Sequence, residues 1–261
     1  MPMEVFNRYE KKYFVTDEQL QRVLAAIEEH MTPDKHNRTG GTYSISNIYY
    51  DTPDDYLIRT SLTHPSYKEK LRLRTYGIPG KSDEAFLEIK KKVEGLVNKR
   101  RTSISLTDAY GFMEEKGAVL PAVYTNPQVI KELLFMVNRY ELMPKVMIAY
   151  DRLAFFEKGN PDLRISFDTN IRGRRNDLRL ESGNFGRLIV PRGFWLMEIK
   201  TARAMPLWLA ALLSEEEIRR VSFSKYGREY EQHLALAEDP LLSPAYKYNN
   251  GKDGLKQCWI H

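Results

Sequence analysis

The chain has 261 residues, with 40 lysine and arginine residues against 35 aspartate and glutamate residues, a formal net charge of +5. The composition, 42% hydrophobic and 29% charged, is that of a globular protein and excludes a disordered, collagenous or low-complexity chain. The single cysteine, Cys258, excludes a disulfide framework and a multi-cysteine zinc site. No apolar run reaches the roughly 18–20 residues of a membrane span, and charge interrupts the N-terminus before a signal peptide could form. We therefore expect a cytoplasmic protein that associates with membranes at most peripherally.

Period-two alternation and helix-capping signals divide most of the chain into predicted elements. Thr16 and Gln19 fit a capping box, and Asn126 precedes a proline at a first helical position. Ser214 and Glu217 fit a second capping box. In chain order the elements are a strand at 8–13, a helix at 16–30, strands at 43–50, 68–74, 86–92 and 99–106, a helix at 126–140, strands at 146–152, 162–168 and 195–200, and helices starting near 214 and after 227.

Seven of the eight predicted strands have one ionic and one apolar face. The clearest is Lys68–Arg74, in which every even position is basic, while Leu71 and Leu73 occupy odd positions. One such strand alone usually turns its ionic face to water. A largely basic face that recurs on seven strands indicates instead that these faces share one environment. The strand at 43–50 lacks the ionic face.

Eight antiparallel strands are enough to close a barrel, and closure removes exposed sheet edges. We therefore predict an α+β fold: an eight-stranded antiparallel closed β-barrel that forms a tunnel, with helices packed outside against its apolar faces. The ionic faces would line the lumen. Enclosing so much positive charge without a partner would be strongly unfavourable, so we expect water and a polyanion there, with Arg and Lys as donors to phosphate oxygens.

A few acidic residues share the ionic faces and could hold a hard divalent cation through oxygen ligands. Basic groups and a metal ion around phosphates are the usual equipment of phosphoryl transfer, in which catalysis is mostly positioning and charge neutralisation. The acidic residues are Glu10, Glu88, Asp168 and Glu198.

The segment Arg8-x-Glu10-x-Lys12 resembles the ExExK signature of the CYTH, or triphosphate tunnel metalloenzyme, superfamily, with Arg8 in place of the first acid. With five further segments in order, the chain is similar to the VTC domain, the catalytic module of eukaryotic polyphosphate polymerases. This resemblance extends from about residue 3 to about residue 235. The five segments are Leu71-Arg72-Leu73-Arg74, Glu88-Ile89-Lys90, Tyr150-Asp151-Arg152, Glu198-Ile199-Lys200 and Phe223-Ser224-Lys225-Tyr226.

The resemblance implies a catalytic tunnel domain over residues 1–238, followed by an irregular tail at 239–261. It implies that ATP binds with Mn2+ or Mg2+ and donates its terminal phosphate to a growing polyphosphate chain. Glu198 would bind the metal, helped by Glu10 and Glu88. The residues then expected to serve catalysis are Arg72, Arg74, Lys90, Arg152, Tyr150 and Lys225. Those expected to bind substrate are Arg8, Lys12, Lys99, Arg101, Arg164, Ser166, Lys200 and Ser224.

The base at Arg8 removes one potential metal ligand and adds one potential phosphate donor. This exchange favours a polymerase over a two-metal triphosphatase. In a polymerase the acceptor is a phosphate oxyanion that is already ionised at neutral pH, so no general base is needed.

Two other functions stay open: a metal-dependent triphosphatase or polyphosphatase with water as acceptor, and a non-catalytic receptor for polyphosphate or inositol polyphosphates. Glu198, Tyr150 and the Ser224-Lys225 pair favour catalysis, since a receptor needs no metal ligand. We expect no nucleic-acid partner, because stacking residues are sparse on the basic face and a closed tunnel admits no duplex. Eukaryotic VTC proteins carry membrane segments and this chain shows none, so product translocation would need a separate membrane partner.

Overall fold

The computed structural model describes residues 9–37, 41–63, 66–94, 96–121 and 123–238. Arg8 and the predicted tail at 239–261 lie outside these ranges. Within them, the strands are β1 (Tyr9–Thr16), β2 (Met31–Pro33), β3 (Tyr43–Asp51), β4 (Tyr67–Tyr76), β5 (Glu84–Val93), β6 (Leu96–Ser105), β7 (Met143–Glu157), β8 (Asn160–Arg174), β9 (Arg187–Leu188), β10 (Phe194–Thr201) and β11 (Arg220–Val221). The helices are α1 (Asp17–Ile27), α2 (Tyr56–Leu62), α3 (Leu106–Glu114), α4 (Pro127–Arg139), α5 (Leu207–Glu215) and α6 (Lys225–Glu238).

All eight predicted strands are present, as β1, β3 to β8 and β10, and the structure adds the short strands β2, β9 and β11. The pairings are antiparallel, and the main path runs β11-β1-β10-β8-β7-β3-β4-β5-β6. In addition, β2 pairs with β7 and β9 with β8. The strand prediction is confirmed.

The prediction of a closed eight-stranded barrel is wrong. The sheet curls into a half-barrel whose two edges are β6 and β11, and no backbone ladder joins these edges within the described residues. Across the opening, the Nζ of Lys90 on β5 lies 3.6 Å from a carboxylate oxygen of Glu10 on β1. Alternation reveals the faces of strands but not which edges meet, and here side chains rather than backbone bonds face each other across the gap.

The convex face of the sheet carries two apolar cores, as the alternation predicts. In the first, Leu71 and Leu73 of β4 and Leu87 of β5 are fully buried against α3 and α4. In the second, β1, β8 and β10 pack against α1 and α5, with Phe167 and Met197 fully buried. These cores fix the odd-numbered side of β4, β5 and β10 outward and therefore turn the ionic side of those strands inward.

Two of the predicted helix starts are confirmed. Thr16 Oγ1 accepts from the Gln19 N–H at 3.2 Å, and the Gln19 side chain accepts from the Thr16 N–H at 3.1 Å, which forms the capping box. Asn126 caps α4 with Pro127 at its start. The capping box at Ser214 is wrong, because the apolar segment from Leu207 already forms α5 and places Ser214 in its last turn.

Not all of the helices pack outside the sheet, which corrects the predicted architecture. Tyr226 of α6 and Ile58 of α2 are buried in a third core, together with Tyr49 and Tyr150 of the concave face. The rings of Tyr49 and Tyr226 stack at 4.9 Å. Helix α6 also begins at Lys225, before the predicted start after Gly227. The two helices therefore fill one part of the half-barrel and bring the start of α6 to its interior.

None of the helices in the described residues is long and apolar enough to cross a membrane.

Candidate active site

A cavity of about 570 Å³ lies on the concave face of the sheet, and twelve basic side chains line it against two acidic ones. Of the predicted site residues, Glu88 and Ser166 are buried behind its wall, each 1% exposed. Arg8 lies outside the described residues. The other predicted residues all line the cavity: Glu10, Lys12, Arg72, Arg74, Lys90, Lys99, Arg101, Tyr150, Arg152, Arg164, Glu198, Lys200, Ser224 and Lys225.

Glu88 organises the basic residues of β4 and β6. The register of β4 and β5 pairs Arg72 with Glu88, and Arg72 Nε donates to Glu88 Oε2 at 2.6 Å. Lys99 Nζ donates to Oε1 at 2.7 Å, and Arg74 Nε lies 3.8 Å from Oε2. Burial opposes ionisation, but Arg72 and Arg74 outweigh it and hold the pKa of the Glu88 carboxyl well below its usual range. Both carboxylate oxygens are thus engaged, and Glu88 acts as a counter-ion for three cations.

Asp168 plays the same part for Arg152 and Lys225. It is fully buried on β8, opposite Arg152 of β7. Arg152 donates to its two oxygens at 2.6 and 2.8 Å, and Lys225 Nζ donates at 2.6 Å. A bidentate guanidinium–carboxylate pair fixes orientation as well as charge. Asp168 therefore holds one strand residue and the first residue of α6 in a common position.

Glu198 and Glu10 lie on the neighbouring strands β10 and β1. Glu198 accepts from Lys200 at 3.1 Å and from Lys225 at 3.3 Å. Burial opposes ionisation of both carboxyls. Lys225 and Lys200 nevertheless hold the pKa of Glu198 well below its usual range, and Lys200 and Lys90 do the same for Glu10. Both groups are therefore carboxylates at neutral pH.

Two of these acids, Glu10 and Glu198, lie close enough together to be considered as ligands of a divalent metal. Among the described residues, no three acidic, histidine or cysteine side chains are grouped closely enough to hold one. However, Mg2+ is commonly bound by one or two carboxylates together with substrate phosphates. Lys12 Nζ lies 3.3 Å from Glu10 and 3.9 Å from Glu198, so these carboxylates share one ammonium group. A divalent cation between Glu10 and Glu198 would replace the Lys12 ammonium and would take its remaining ligands from substrate phosphates. Cationic side chains engage both oxygens of Glu198, as they do those of Glu88.

Two hydroxyl groups point into the basic cluster. Arg74 Nη2 donates to the Tyr150 hydroxyl at 3.1 Å, and Lys225 Nζ lies 4.5 Å from the Tyr150 ring centre. Burial would raise the pKa of Tyr150, but Arg74 and Arg152 outweigh it and lower that pKa. Ser224 Oγ accepts from Lys70 Nζ at 3.0 Å and from the Gly227 N–H at 3.1 Å, so it also stabilises the start of α6.

The sequence prediction missed seven residues that line the cavity: Lys70, Tyr43, Tyr49, Tyr76, Val97, Arg100 and Phe156. Lys70 was visible as an even position of the strand at 68–74. Tyr43 and Tyr49 share one face of the strand at 43–50, and this face carries no charge that would have indicated a phosphate site. Tyr76 and Phe156 lie beyond the predicted ends of their strands, so the alternation carried no signal for them.

A second cavity, of about 770 Å³, continues from the first. Both cavities are lined by Lys12, Lys70, Lys90 and Ser224. The second extends between the β4–β5 side and β11, near the opening of the half-barrel. It adds the basic residues Lys68, Lys92, Arg220 and Arg228.

Comparison with known proteins places these features in a family. The family model described as the VTC domain matches residues 7–234. Subunit 4 of the vacuolar transporter chaperone complex of Trypanosoma cruzi is 24% identical over 270 residues, covering 86% of this chain and 34% of that protein. Subunit 4 from Trypanosoma brucei brucei is 26% identical over 213 residues, covering 68% of this chain and 27% of that protein. The chain thus spans about a third of the length of these curated relatives.

The fold is also similar to a solved structure, a Bacillus halodurans protein described as a candidate adenylate cyclase. The TM-score is 0.52 at 14% identity, and the match covers 85% of this chain and 96% of that one. At this identity the likeness concerns the fold alone.

Proposed function

The chain belongs to the VTC domain family, and on that premise we propose that it is an ATP-dependent polyphosphate polymerase. In the proposed reaction, a terminal oxygen of the polyphosphate chain forms a bond to the γ-phosphorus of ATP. The bond from that phosphorus to the β,γ-bridging oxygen breaks, and ADP leaves.

The observation that carries this proposal is a strongly basic cavity in which the acids are already ionised and paired. Twelve basic side chains attract and hold two polyanions whose mutual repulsion would otherwise keep them apart. The low pKa values of Glu10 and Glu198 make them weak bases for activating water. A phosphate acceptor needs no such activation, and therefore the site suits transfer to phosphate better than hydrolysis.

The side chains of this site would act by binding and orienting phosphates. Arg72, Arg74 and Arg152 are held by buried carboxylates, so their donors are pre-positioned and reorganise little during the reaction. Lys225, tied to Asp168 and Glu198, would add a fixed positive charge beside them. Mn2+ or Mg2+ bound by Glu10 and Glu198 would neutralise further charge on the phosphate oxygens.

The second cavity supports a polymeric product over a free triphosphate. It continues from Lys12, Lys70 and Lys90 towards Lys68 and Lys92, so positive charge extends well beyond the central cavity. A substrate of three phosphates leaves this extension unused, whereas a chain can follow it.

The test is to incubate the purified protein with ATP and Mn2+ and to measure polyphosphate on a gel together with ADP and orthophosphate. We expect polyphosphate, with ADP matching the phosphate incorporated. Arg72→Ala and Lys90→Ala should each lower the rate at least tenfold, because each removes a fixed phosphate donor, typically about 10²-fold or more per preorganised donor. Lys91→Ala is the matched control, since Lys91 is next to Lys90 on β5 but pairs with Glu132 of α4 at 3.6 Å.

Other results of this assay would indicate a different function. Orthophosphate without polymer would make the protein a triphosphatase or polyphosphatase. Tight binding of polyphosphate with no product from ATP would make it a receptor.

We further propose that the protein works at a membrane with a separate membrane partner. The supporting observation is that the trypanosomal relatives are named as subunits of a vacuolar transporter chaperone complex. Co-purification of the tagged chain with an integral membrane protein from its own cells is the expected result, and recovery of the chain alone would contradict it.

A further inference from the structure

One rim of the central cavity carries a group of aromatic side chains beside its basic ones. The strands β7, β3, β4 and β5 are neighbours in the sheet. Each carries a half-buried aromatic residue on its inward face, towards one end of the half-barrel. Three of these residues line the cavity, and the fourth lies beside them. The four residues are Phe156, Tyr43, Tyr76 and Phe86, and we call them the aromatic rim.

Arginine side chains cover both flanks of the aromatic rim. Arg101 lies over the Phe86 ring at 4.8 Å, and Arg164 lies over the Phe156 ring at 5.0 Å. Phe86 meets Tyr76 edge to face at 5.8 Å. His36 also stacks on the Tyr76 ring at 5.2 Å, so a planar group already covers a face of each of these three rings. A further planar ring would therefore stack on the opposite face of a rim residue or on a guanidinium plane, and base–aromatic stacking of this kind tolerates any base because every base has a π face.

The two sides of the central cavity differ in chemistry. The side shared with the second cavity presents Lys12, Lys70 and Lys90, and Phe223 is the one aromatic residue that lines the second cavity in the described part of the chain. The aromatic rim belongs to the side that the second cavity does not share. A ligand with one planar end and one polyanionic end therefore has only one favourable orientation.

We propose that the aromatic rim binds the nucleoside base of the phosphate donor. The triphosphate then extends inward to Arg74 and Arg152, and the growing chain leaves through the second cavity. This inference deepens the proposed function and rests on it. Because recognition is by stacking, the rim prefers purines to pyrimidines through ring area and discriminates weakly between adenine and guanine.

The experiment compares binding of a non-hydrolysable ATP analogue with binding of inorganic tripolyphosphate, by calorimetry on the full chain. The wild-type protein should bind the analogue more tightly. Phe156→Leu and Tyr76→Leu should each weaken binding of the analogue by about 5-fold to 150-fold, the range of one stacking contact, and leave tripolyphosphate binding unchanged. Phe135→Leu, at an exposed ring on α4, is the matched control.

Equal loss of both ligands in both rim variants would overturn the inference, since it would indicate damage to the phosphate site. No change in either variant, or no preference of the wild type for the analogue, would also overturn it. Because the readout is binding, a rim effect in a protein that makes no polymer would refute the proposed function and leave the inference standing. Polymer synthesis by the wild-type protein, with no effect of the rim variants on binding, would support the proposed function and overturn the inference.

Discussion

At the scale of single residues, buried carboxylates organise the basic side chains of the cavity. Glu88 holds Arg72 and Lys99, while Asp168 holds Arg152 and Lys225. Unpaired buried cations would be strongly destabilising, so each carboxylate stabilises the free protein and also aims donors at the space where phosphates would bind. We therefore expect these acids to act as positioning residues and the cations to contact the phosphates.

Lys70 differs from these side chains in having no carboxylate partner in the described part of the chain, and its charge should depend on pH. Its Nζ donates to Ser224, and no carboxylate of the described residues forms an ion pair with it. Burial, together with the neighbouring Lys90, Lys12, Lys68 and Arg72, lowers its pKa to about 7. Lys70 is therefore largely protonated below pH 7 and largely neutral above it, until an anion binds beside it.

This arrangement predicts that polyphosphate binding takes up a proton at Lys70. Affinity for tripolyphosphate should fall as pH rises from about 6 to about 8, by up to about tenfold per unit above the free pKa. Lys70→Arg should remove this component, because a guanidinium stays charged, while keeping the affinity seen at low pH. Lys70→Met should lower affinity at low pH. Titration calorimetry across this range separates the three proteins, and identical pH profiles for wild type and Lys70→Arg would contradict the prediction.

At the scale of elements, Asp51 joins β3, α2 and α6. It is fully buried, and its carboxylate accepts from the N–H groups of Leu57 and Ile58 at 2.8 and 2.9 Å. It also accepts from the Tyr226 hydroxyl at 3.1 Å. Helix α2 has no side-chain cap from Asp55, the residue before it, so Asp51 takes over that role from the end of the strand.

Asp51→Ala should therefore destabilise the fold strongly. It leaves buried donors without acceptors, at about 1–3 kcal/mol for each. Asp54→Ala is the matched control, because the Asp54 side chain is 64% exposed and solvent screens its ion pair with Arg59. Denaturant unfolding gives the two free energies of unfolding, and similar losses in the two variants would rule out this role for Asp51.

At the scale of the whole molecule, the opening between β6 and β11 sets the route through the protein. The α2 and α6 helices fill part of the concave face, and the second cavity follows the open edges of the sheet. A growing chain would thus leave sideways, past Lys92 and Arg220, rather than along the axis of a closed barrel.

Reversing the charge at this exit should shorten the product. In the double variant Lys92→Glu, Arg220→Glu, we expect shorter polyphosphate and unchanged binding of the ATP analogue, because the substitutions lie away from the aromatic rim. The double variant Lys81→Glu, Lys131→Glu, at two exposed positions, controls for net charge. Gel analysis of chain length provides the measurement, and product of wild-type length from the Lys92→Glu, Arg220→Glu variant would exclude this exit.

The sequence alone determined the eight main strands, the inward face of most of them and membership of the VTC domain family. Alternation is a local property of neighbouring residues, so Arg72, Arg74 and Lys90 could be assigned to one face without any knowledge of strand pairing. The resemblance to the family was carried by the same short segments, and the match over residues 7–234 confirms it.

Only the tertiary structure decided how these faces are used. The open edge at β6 and β11, the insertion of α6 and the choice of Arg152 and Lys225 as partners of Asp168 all depend on residues far apart in the chain. The aromatic rim likewise arises because sheet order brings β7, β3, β4 and β5 together. Contacts of this kind depend on register, curvature and packing of the whole chain, and no local pattern encodes them.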